Sequence, residues 1–442
     1  MKIKKILWLI PALFLGVVIF LQYPKLNIIS GYASKNMAST VFITGRSPES
    51  VLQHDNNMPL ISLAKVENNG LSTTASIYGL MKRKTVCHEG IGCMLVNDTY
   101  QPSSTFPVPH RQHSENPCSF PYGDKEQTDT IFANIDYDAL ESAVETAFIQ
   151  PEIQKTRTVL VAYKNHIVAE RYTEGFTKDT PILGWSMTKS ILATLYGILE
   201  YQDKLDLNMA APVPAWEDDV RKKITLNHLL RMQSGLEWDE DYTSISDVTQ
   251  MLFLASDMPA VQAEKQSIAP PTEIWNYSSG TSNLLSGLLR KRFGSLQEYL
   301  DFPYSALIDK IGMNSMIIET DMKGNFVASS YAWATTRDWA KFGLLYLNKG
   351  KWNGSQLFDE TWVDYITTPT EGSNGTYGAH FWLNAGGKYP DVPKDMYSAN
   401  GFQGQRVFIL PSKDIVVVRT GLAEEPEFDI NSFLAGIIAS ID

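Results

Sequence analysis

Cysteine is scarce in this chain, with three in 442 residues. All of them, Cys87, Cys93 and Cys118, lie in the N-terminal third, so a dense disulfide scaffold is excluded and everything after Cys118 folds without cross-links. Cys87, His88 and Cys93 stand together, but no second matching cluster follows, which argues against a zinc module and gives an expectation of no metal. Basic blocks are absent after the first five residues, and the formal net charge is −11. Phosphate binding needs clustered Lys and Arg, so a nucleic-acid partner is excluded. Internal repeats are absent, which removes the solenoid and propeller architectures.

Long apolar runs are also absent, with one exception. After the basic "MKIKK", residues 6 to 21, "ILWLIPALFLGVVIFL", carry no charge, and Gln22 and Tyr23 extend the stretch. Basic flank and apolar run together make the n-region and h-region of an export signal. A small-x-small site, Gly31-Tyr32-Ala33, lies farther past the run than a peptidase site usually sits. An uncleaved signal-anchor is therefore expected, with the lysines in the cytoplasm and the bulk of the chain outside, in the periplasm or beyond the cell. Secretion after cleavage is the alternative. "CHEGIGC" can close a disulfide in such a compartment, and a bond to Cys118 is equally open.

What remains is ordinary globular composition, 44% hydrophobic and 20% charged. The length is generous for one core and suggests a main domain plus an extra region. The expected division is an anchor over 1–30, an extension over 31–134 and the main domain over 135–442. The extension carries "NNG" and "PSSTFPVPHRQHSENPCSFPYGD" and reads as irregular, a lid or a spacer from the membrane. Regularity starts near Leu140. "DALESAVETAFI" is helical, and "TRTVLVAYKNHIVAERY" reads as two strands turning at Lys164-Asn165-His166. "TKSILATLYGILEYQDKL" places Ile191, Leu192, Leu195, Ile198 and Leu199 on one helical stripe. The middle is helical, and "TTRDWAKFGLLYLNKG" is capped by Thr and stopped by Lys-Gly. "QRVFILPSKDIVVVRTG" is a second hairpin and "DINSFLAGIIASI" a closing helix. The expectation is an α/β (α+β) domain, with one antiparallel sheet built from both ends, flanking helices and a helical subdomain.

Two Ser-x-x-Lys pairs occur, Ser62–Lys65 and Ser186–Lys189. The spacing alone arises by chance roughly once per few hundred residues. Ser62 precedes Asn68-Asn69-Gly70, which stops any helix. Ser186 opens a strong amphipathic helix, where unpaired N–H groups and the helix dipole favour a developing negative charge. Lys189 lies one turn on, on the same face. A lysine partly buried there can lose its charge and accept the serine proton. Downstream, "IWNYSSGTSNLLSGLL" sets Tyr277 and Ser279 in a turn before a helix, and "YSANGFQGQRVFIL" runs a glycine-bracketed bend into a strand.

Ser-x-x-Lys on a helix, Tyr-x-Ser on a loop and a glycine-rich strand edge, in that order, resemble the penicillin-recognising serine hydrolases. The resemblance covers about residues 135 to 442. It looks closest to the branch of 6-aminohexanoate-dimer hydrolase and related esterases, and it implies the β-lactamase/transpeptidase-like fold. It implies that Ser186 forms an acyl-enzyme on a small ester or amide substrate, with Lys189 and Tyr277 moving protons and no cofactor. Backbone N–H groups of Ser186 and of the strand edge Gln403, Gly404 and Gln405 would form the oxyanion hole and contact substrate, as would Ser279, which stands where many relatives carry Asn. The third motif departs from the family. Gly401-Phe402-Gln403-Gly404 replaces Lys-Thr-Gly or His-Thr-Gly, so a cation for a substrate carboxylate is missing, although Arg406 is near. A true β-lactamase or DD-peptidase, and a ligand-binding sensor without turnover, are the alternatives. Trp238, Asp241 and Tyr242 fall where this branch builds substrate contacts. His380 is a candidate for the pocket rim. His228 reads as structural, and the sequons at Asn97, Asn276, Asn353 and Asn374 as chance, since a glycan on Asn276 would obstruct Tyr277.

Overall fold

The computed structural model describes residues 2–101, 106–112, 117–123, 125, 127 and 130–441, with the side chains of 2–15, 18–22, 24 and 25 outside that description. The chain forms two compact units. The first comprises Met1–Thr105, Asp239–Met258 and Asp321–Lys323; the second comprises Phe106–Trp238, Pro259–Thr320 and Gly324–Asp442.

The first unit corrects the expectation of an irregular extension. It holds a long helix α1 (Lys2–Thr44), a short α2 (Pro48–Gln53) and an antiparallel meander of β1 (Lys65–Asn68), β2 (Ser72–Ile77), β3 (Leu80–His88) and β4 (Gly92–Val96). Small side chains let the stretch 29–40 of α1 bury on nearly every side. Ala33, Ser34, Ala38 and Ser39 are all inaccessible or nearly so, and Gly31 abuts Phe253, where a Cβ would stand 3.1 Å from the Phe253 Cβ. The polar members are satisfied inside: the Ser34 hydroxyl donates to the Thr73 carbonyl at 3.0 Å and lies 2.8 Å from the Thr85 hydroxyl. A helix packed all round has no amphipathic stripe, and short strands such as "STTASI" carry turn-forming residues, so neither stood out by periodicity. Cys87 and Cys93 face each other across β3 and β4 and form a disulfide. Both sulfurs are thereby withdrawn from metal ligation. Cys118 is exposed. Among the described residues no helix is long and apolar enough to cross a membrane. Most side chains of the run 6–21, on which the anchor expectation rests, lie outside the described residues.

The hairpins and flanking helices expected near both ends of the second unit are present, while the stretch 202–278, expected to be helical, is mostly turns with short helices such as Leu226–Leu230. Among its helices and strands are α3 (Tyr137–Glu145), β5 (Thr156–Tyr163), β6 (His166–Tyr172), α4 (Met187–Tyr201), α5 (Ser279–Arg290), α6 (Thr336–Leu347), β7 (Trp382–Leu383), β8 (Tyr397–Gly401), β9 (Gln405–Leu410), β10 (Ile415–Gly421) and α7 (Ile430–Ala439). The sheet order is β7-β8-β9-β10-β5-β6. The two ends of the domain meet where β10 pairs antiparallel with β5, Val417 opposite Val161. Lys164 and Asn165 both take positive φ, 48° and 63°, the left-handed pair that a two-residue hairpin needs. Helices α3 and α7 bury Leu140, Val144, Phe433, Leu434 and Ile437 with Val159, Val161, Phe408 and Val417 of the sheet. At roughly 1.5–3 kcal/mol per buried large apolar side chain, this layer is a main source of stability. Helix α6 lies on β9 and β10, so close that a Cβ at Gly343 would stand 2.6 Å from Val416 Cγ1. Helix α4 is buried from Met187 to Leu199, well beyond the single stripe predicted for it.

Candidate active site

Ser186 occupies the N-cap of α4, yet its hydroxyl makes no capping bond. It accepts instead from Lys189 Nζ at 2.9 Å. That separates Ser186 from an ordinary helix-capping serine, whose oxygen would take a backbone N–H of the first turn. The residue before it, Trp185, is held at φ 48°, an uncommon conformation for a bulky side chain that persists when surrounding packing imposes it. The packing is visible. A Cβ on Gly184 would stand 2.4 Å from the Trp339 ring. The Gly184 N–H donates to the Ala332 carbonyl at 2.8 Å, and Thr188 Oγ1 ties the same strand down by accepting from Ala332 N–H at 3.0 Å.

Lys189 is 1% exposed. Besides Ser186, its Nζ donates to Ser279 Oγ at 2.9 Å and to the Ser329 carbonyl at 2.9 Å. Ser329 is itself fixed, its N–H donating to Asn283 Oδ1 at 3.1 Å. The amine lies 4.9 Å from the centroid of the Tyr277 ring. Tyr277 precedes the Ser278 N-cap of α5, and its ring packs against Trp382 at 5.2 Å and Tyr377 at 5.8 Å. Two chain-distant helix N-termini, of α4 and α5, thus bring the serine, the lysine and the tyrosine into one cluster. Such oriented polar ends favour charge that develops on an acyl oxygen.

The other residues expected at the site are placed as follows. Ser279 is fully buried and its hydroxyl accepts from Lys189. Gln405 is 1% exposed, and its side chain bonds the backbone of Gly421 in both directions. The Gly404 carbonyl accepts from the buried guanidinium of Arg419 at 3.0 Å, and a Cβ at Gly404 would stand 2.1 Å from the Ala423 carbonyl. Gln403 sits at φ 61° in the turn between β8 and β9. The strand end that meets the nucleophile segment is one step earlier. A Cβ at Gly401 would stand 2.0 Å from the Gly184 carbonyl oxygen, and the Phe402 and Trp185 rings pack edge to face at 5.5 Å. Gly401 and Phe402 thus pack against the nucleophile segment, next to the 403–405 stretch expected from motif position.

His380 is 2% exposed, beneath the cluster rather than at a rim. Its Nδ1 donates to the Leu230 carbonyl at 2.7 Å, so its Nε2 accepts from the Ser282 hydroxyl at 2.9 Å. Burial pushes its pKa down to about 3; the Leu230 bond opposes and the Lys189 charge adds to the shift. It is a neutral structural imidazole. His228 joins a reciprocal cap with Thr225, with burial lowering its pKa. Trp238 packs on Gly280, where a Cβ would stand 2.4 Å from its ring. Asp241 and Tyr242 belong to the first unit, and Asp241 Oδ1 caps its own loop at Thr243. Arg406, the nearest cation to the third motif, donates to the carbonyls of Gly401 and Gln405. Ser329, Tyr377 and Trp382 had no motif to announce them, although "IWNY" and "FWLN" are aromatic enough to have suggested a stacked wall. Among the described residues no group of three or more His, Cys, Asp or Glu is placed to hold a metal ion.

The β-lactamase family profile matches residues 149–429, and the chain belongs to that family of serine hydrolases. It is 22% identical over 303 residues to the 6-aminohexanoate-dimer hydrolase of Paenarthrobacter ureafaciens, covering 62% of this chain and 74% of the relative. A Bacillus anthracis structure assigned as a 6-aminohexanoate-dimer hydrolase superposes with TM-score 0.56 at 23% identity, over 66% of this chain and 79% of that one. The hydrolase EstCE1, with promiscuous acyltransferase activity, gives TM-score 0.56 at 14% identity, over 69% and 98%. These likenesses show the β-lactamase/transpeptidase-like α/β fold.

Proposed function

We propose that this chain hydrolyses small esters or amides through an acyl-enzyme on Ser186. Lys189 in its amine form takes the Ser186 proton while Oγ bonds to the acyl carbon. The carbonyl electrons move to oxygen, which N–H groups at the α4 N-terminus and the Gly401–Phe402 strand end receive. The intermediate collapses as the ester or amide bond breaks, and Tyr277 supplies the proton the departing alkoxide or amine needs. Water then attacks the acyl-serine, gives its proton back through the same groups, and leaves a carboxylic acid and free Ser186. Lys189 and Tyr277 share protons in this cycle, so the pair titrates together. The observation that carries the proposal is the buried Lys189 amine on a Ser186 hydroxyl that caps nothing.

Relatives named as a 6-aminohexanoate-dimer hydrolase and as a family VIII carboxylesterase support that substrate class. The arrangement of Arg406 argues against a β-lactam or D-alanyl carboxylate as the anchor point, because its guanidinium is turned onto the carbonyls of Gly401 in β8 and Gln405 in β9. The altered Gly401-Phe402-Gln403-Gly404 motif favours one second reading, a ligand sensor that acylates without turnover. Short-chain nitrophenyl esters and a 6-aminohexanoate dimer, offered to the wild type and to Ser186→Ala, test both. Many turnovers lost in the variant support hydrolysis; a single burst without turnover supports the sensor; activity kept by the variant contradicts both.

For location, the proposal is a membrane-anchored protein with both units outside the cytoplasm. The Lys-flanked apolar run supports it, as does the Cys87–Cys93 disulfide, which persists in oxidising compartments. Gly31, Tyr32 and Ala33 lie within α1 and are buried or close-packed, so cleavage there would divide the helix at the centre of the first unit.

A further inference from the structure

We infer that one end of the first unit is a membrane-interface collar, in which Leu60, Leu63, Tyr78 and Leu80 seat against lipid. This rests on the anchored reading above. The path of α1 defines the end. Ala38 packs with Cys87 and Cys93, Ser34 bonds Thr73 and Thr85, and Ser30 Oγ donates to the Met81 carbonyl at 2.6 Å. Descending along α1 therefore means descending β3 toward its turn with β2. The segment after α2 follows the same direction: Asn56 bonds Asn36 and the Ala33 carbonyl, and the Tyr32 hydroxyl meets Met58 Sδ. β1 closes the picture, since Lys65 lies opposite Ser76, near the Tyr78 turn.

At that end four large apolar side chains stand in solvent. Leu60 is 57% exposed, Leu63 49%, Tyr78 83% and Leu80 48%. The Tyr78-Gly79 turn holds both residues at positive φ, 50° and 77°, an unfavourable place for a large aromatic that keeps its ring outermost. Tyr suits the headgroup layer, where its ring is apolar and its hydroxyl stays wet. Exposed Lys82 follows on the same hairpin and matches the phosphates of an anionic leaflet. Tyr78 lies three residues past Met81, roughly 10 Å further toward the turn. Leu21, the last residue of the uncharged run, lies about 14 Å from Ser30 along a helix that continues to Lys2. On these spacings the collar lies level with the stretch of α1 between that run and Ser30.

The test uses the full chain in the Cys118→Ser background, reconstituted in phosphatidylcholine–phosphatidylglycerol vesicles. An environment-sensitive fluorophore is placed by Tyr78→Cys, and in a second protein by Leu71→Cys. Leu71 is as exposed, at 64%, but lies at the other end of β2, about 20 Å away. The collar predicts a blue-shifted emission at position 78, quenched several-fold by spin-labelled lipid, and neither effect at 71. Equal behaviour at the two positions, in a chain that floats with the vesicles, overturns the collar and leaves the anchor standing. A chain that does not float with vesicles overturns both. Thermal melts matching the parent confirm that both labelled proteins are folded.

Discussion

Ser62 and Lys65 stand three residues apart, as do Ser186 and Lys189. The first pair spans a single 3-10 turn and the start of a strand. Its lysine is 77% exposed and pairs with Glu67 at 2.8 Å. An exposed pair of that kind contributes little, since water and salt screen it. The second pair opens a helix buried along most of its length, and its lysine bonds Ser186, Ser279 and the Ser329 carbonyl. Spacing is common to both, so spacing is not what makes a nucleophile. Burial of the amine, and the neighbours that fix it, do.

Substitution tests that difference most severely at the serines. Ser186→Ala is expected to lower kcat by on the order of 10⁴- to 10⁶-fold with the melting temperature nearly unchanged, while Ser62→Ala leaves both alone. Steady-state kinetics beside thermal melts decide it. The lysines come next. Lys189→Met, which keeps the buried volume, should reduce kcat by about 10²- to 10⁴-fold; Lys65→Met should be silent. Ser279→Ala sharpens the point further. Its hydroxyl orders the amine, so its loss should lower kcat about tenfold, the equivalent of one hydrogen bond, with KM little changed.

The smallest effect concerns pH. The pKa of His380 is about 3 in the fold, against about 6.5 when unfolded. Above pH 6.5 it is neutral in both states and contributes its full share. As pH falls from there toward 3, the unfolded chain binds a proton the folded one refuses, and that stability is lost. Urea unfolding at pH 7.5 and 4.5 should show about one extra proton taken up on unfolding, and His380→Asn should remove it. An unchanged pH slope in that variant would place the titration elsewhere.

The second unit was legible because its elements are long and regular: "VLVAY" and "DIVVV" alternate with turn residues, and α3 and α7 show one apolar face. Joining the ends into one sheet followed from hairpins at both. The first unit was not legible, because the stretch 29–40 of α1 packs on nearly all sides through small residues and β2 is rich in Ser and Thr. At the site, Ser186, Lys189 and Tyr277 could be read from order and spacing. Side-chain direction could not, which is why Ser279 and Gln405 were expected to face substrate and instead brace Lys189 and Gly421. His380 failed similarly: a histidine next to aromatic residues looks the same in sequence whether it lines a pocket or lies beneath it.

The central claim is that Ser186 is activated by its buried neighbour. Intact-mass spectrometry after exposure to a fluorophosphonate tests it directly, on the wild type and Ser186→Ala side by side. A single adduct on the wild type, absent from the folded variant, is the predicted result. No adduct on the folded wild type, or one that persists in Ser186→Ala, would contradict the account.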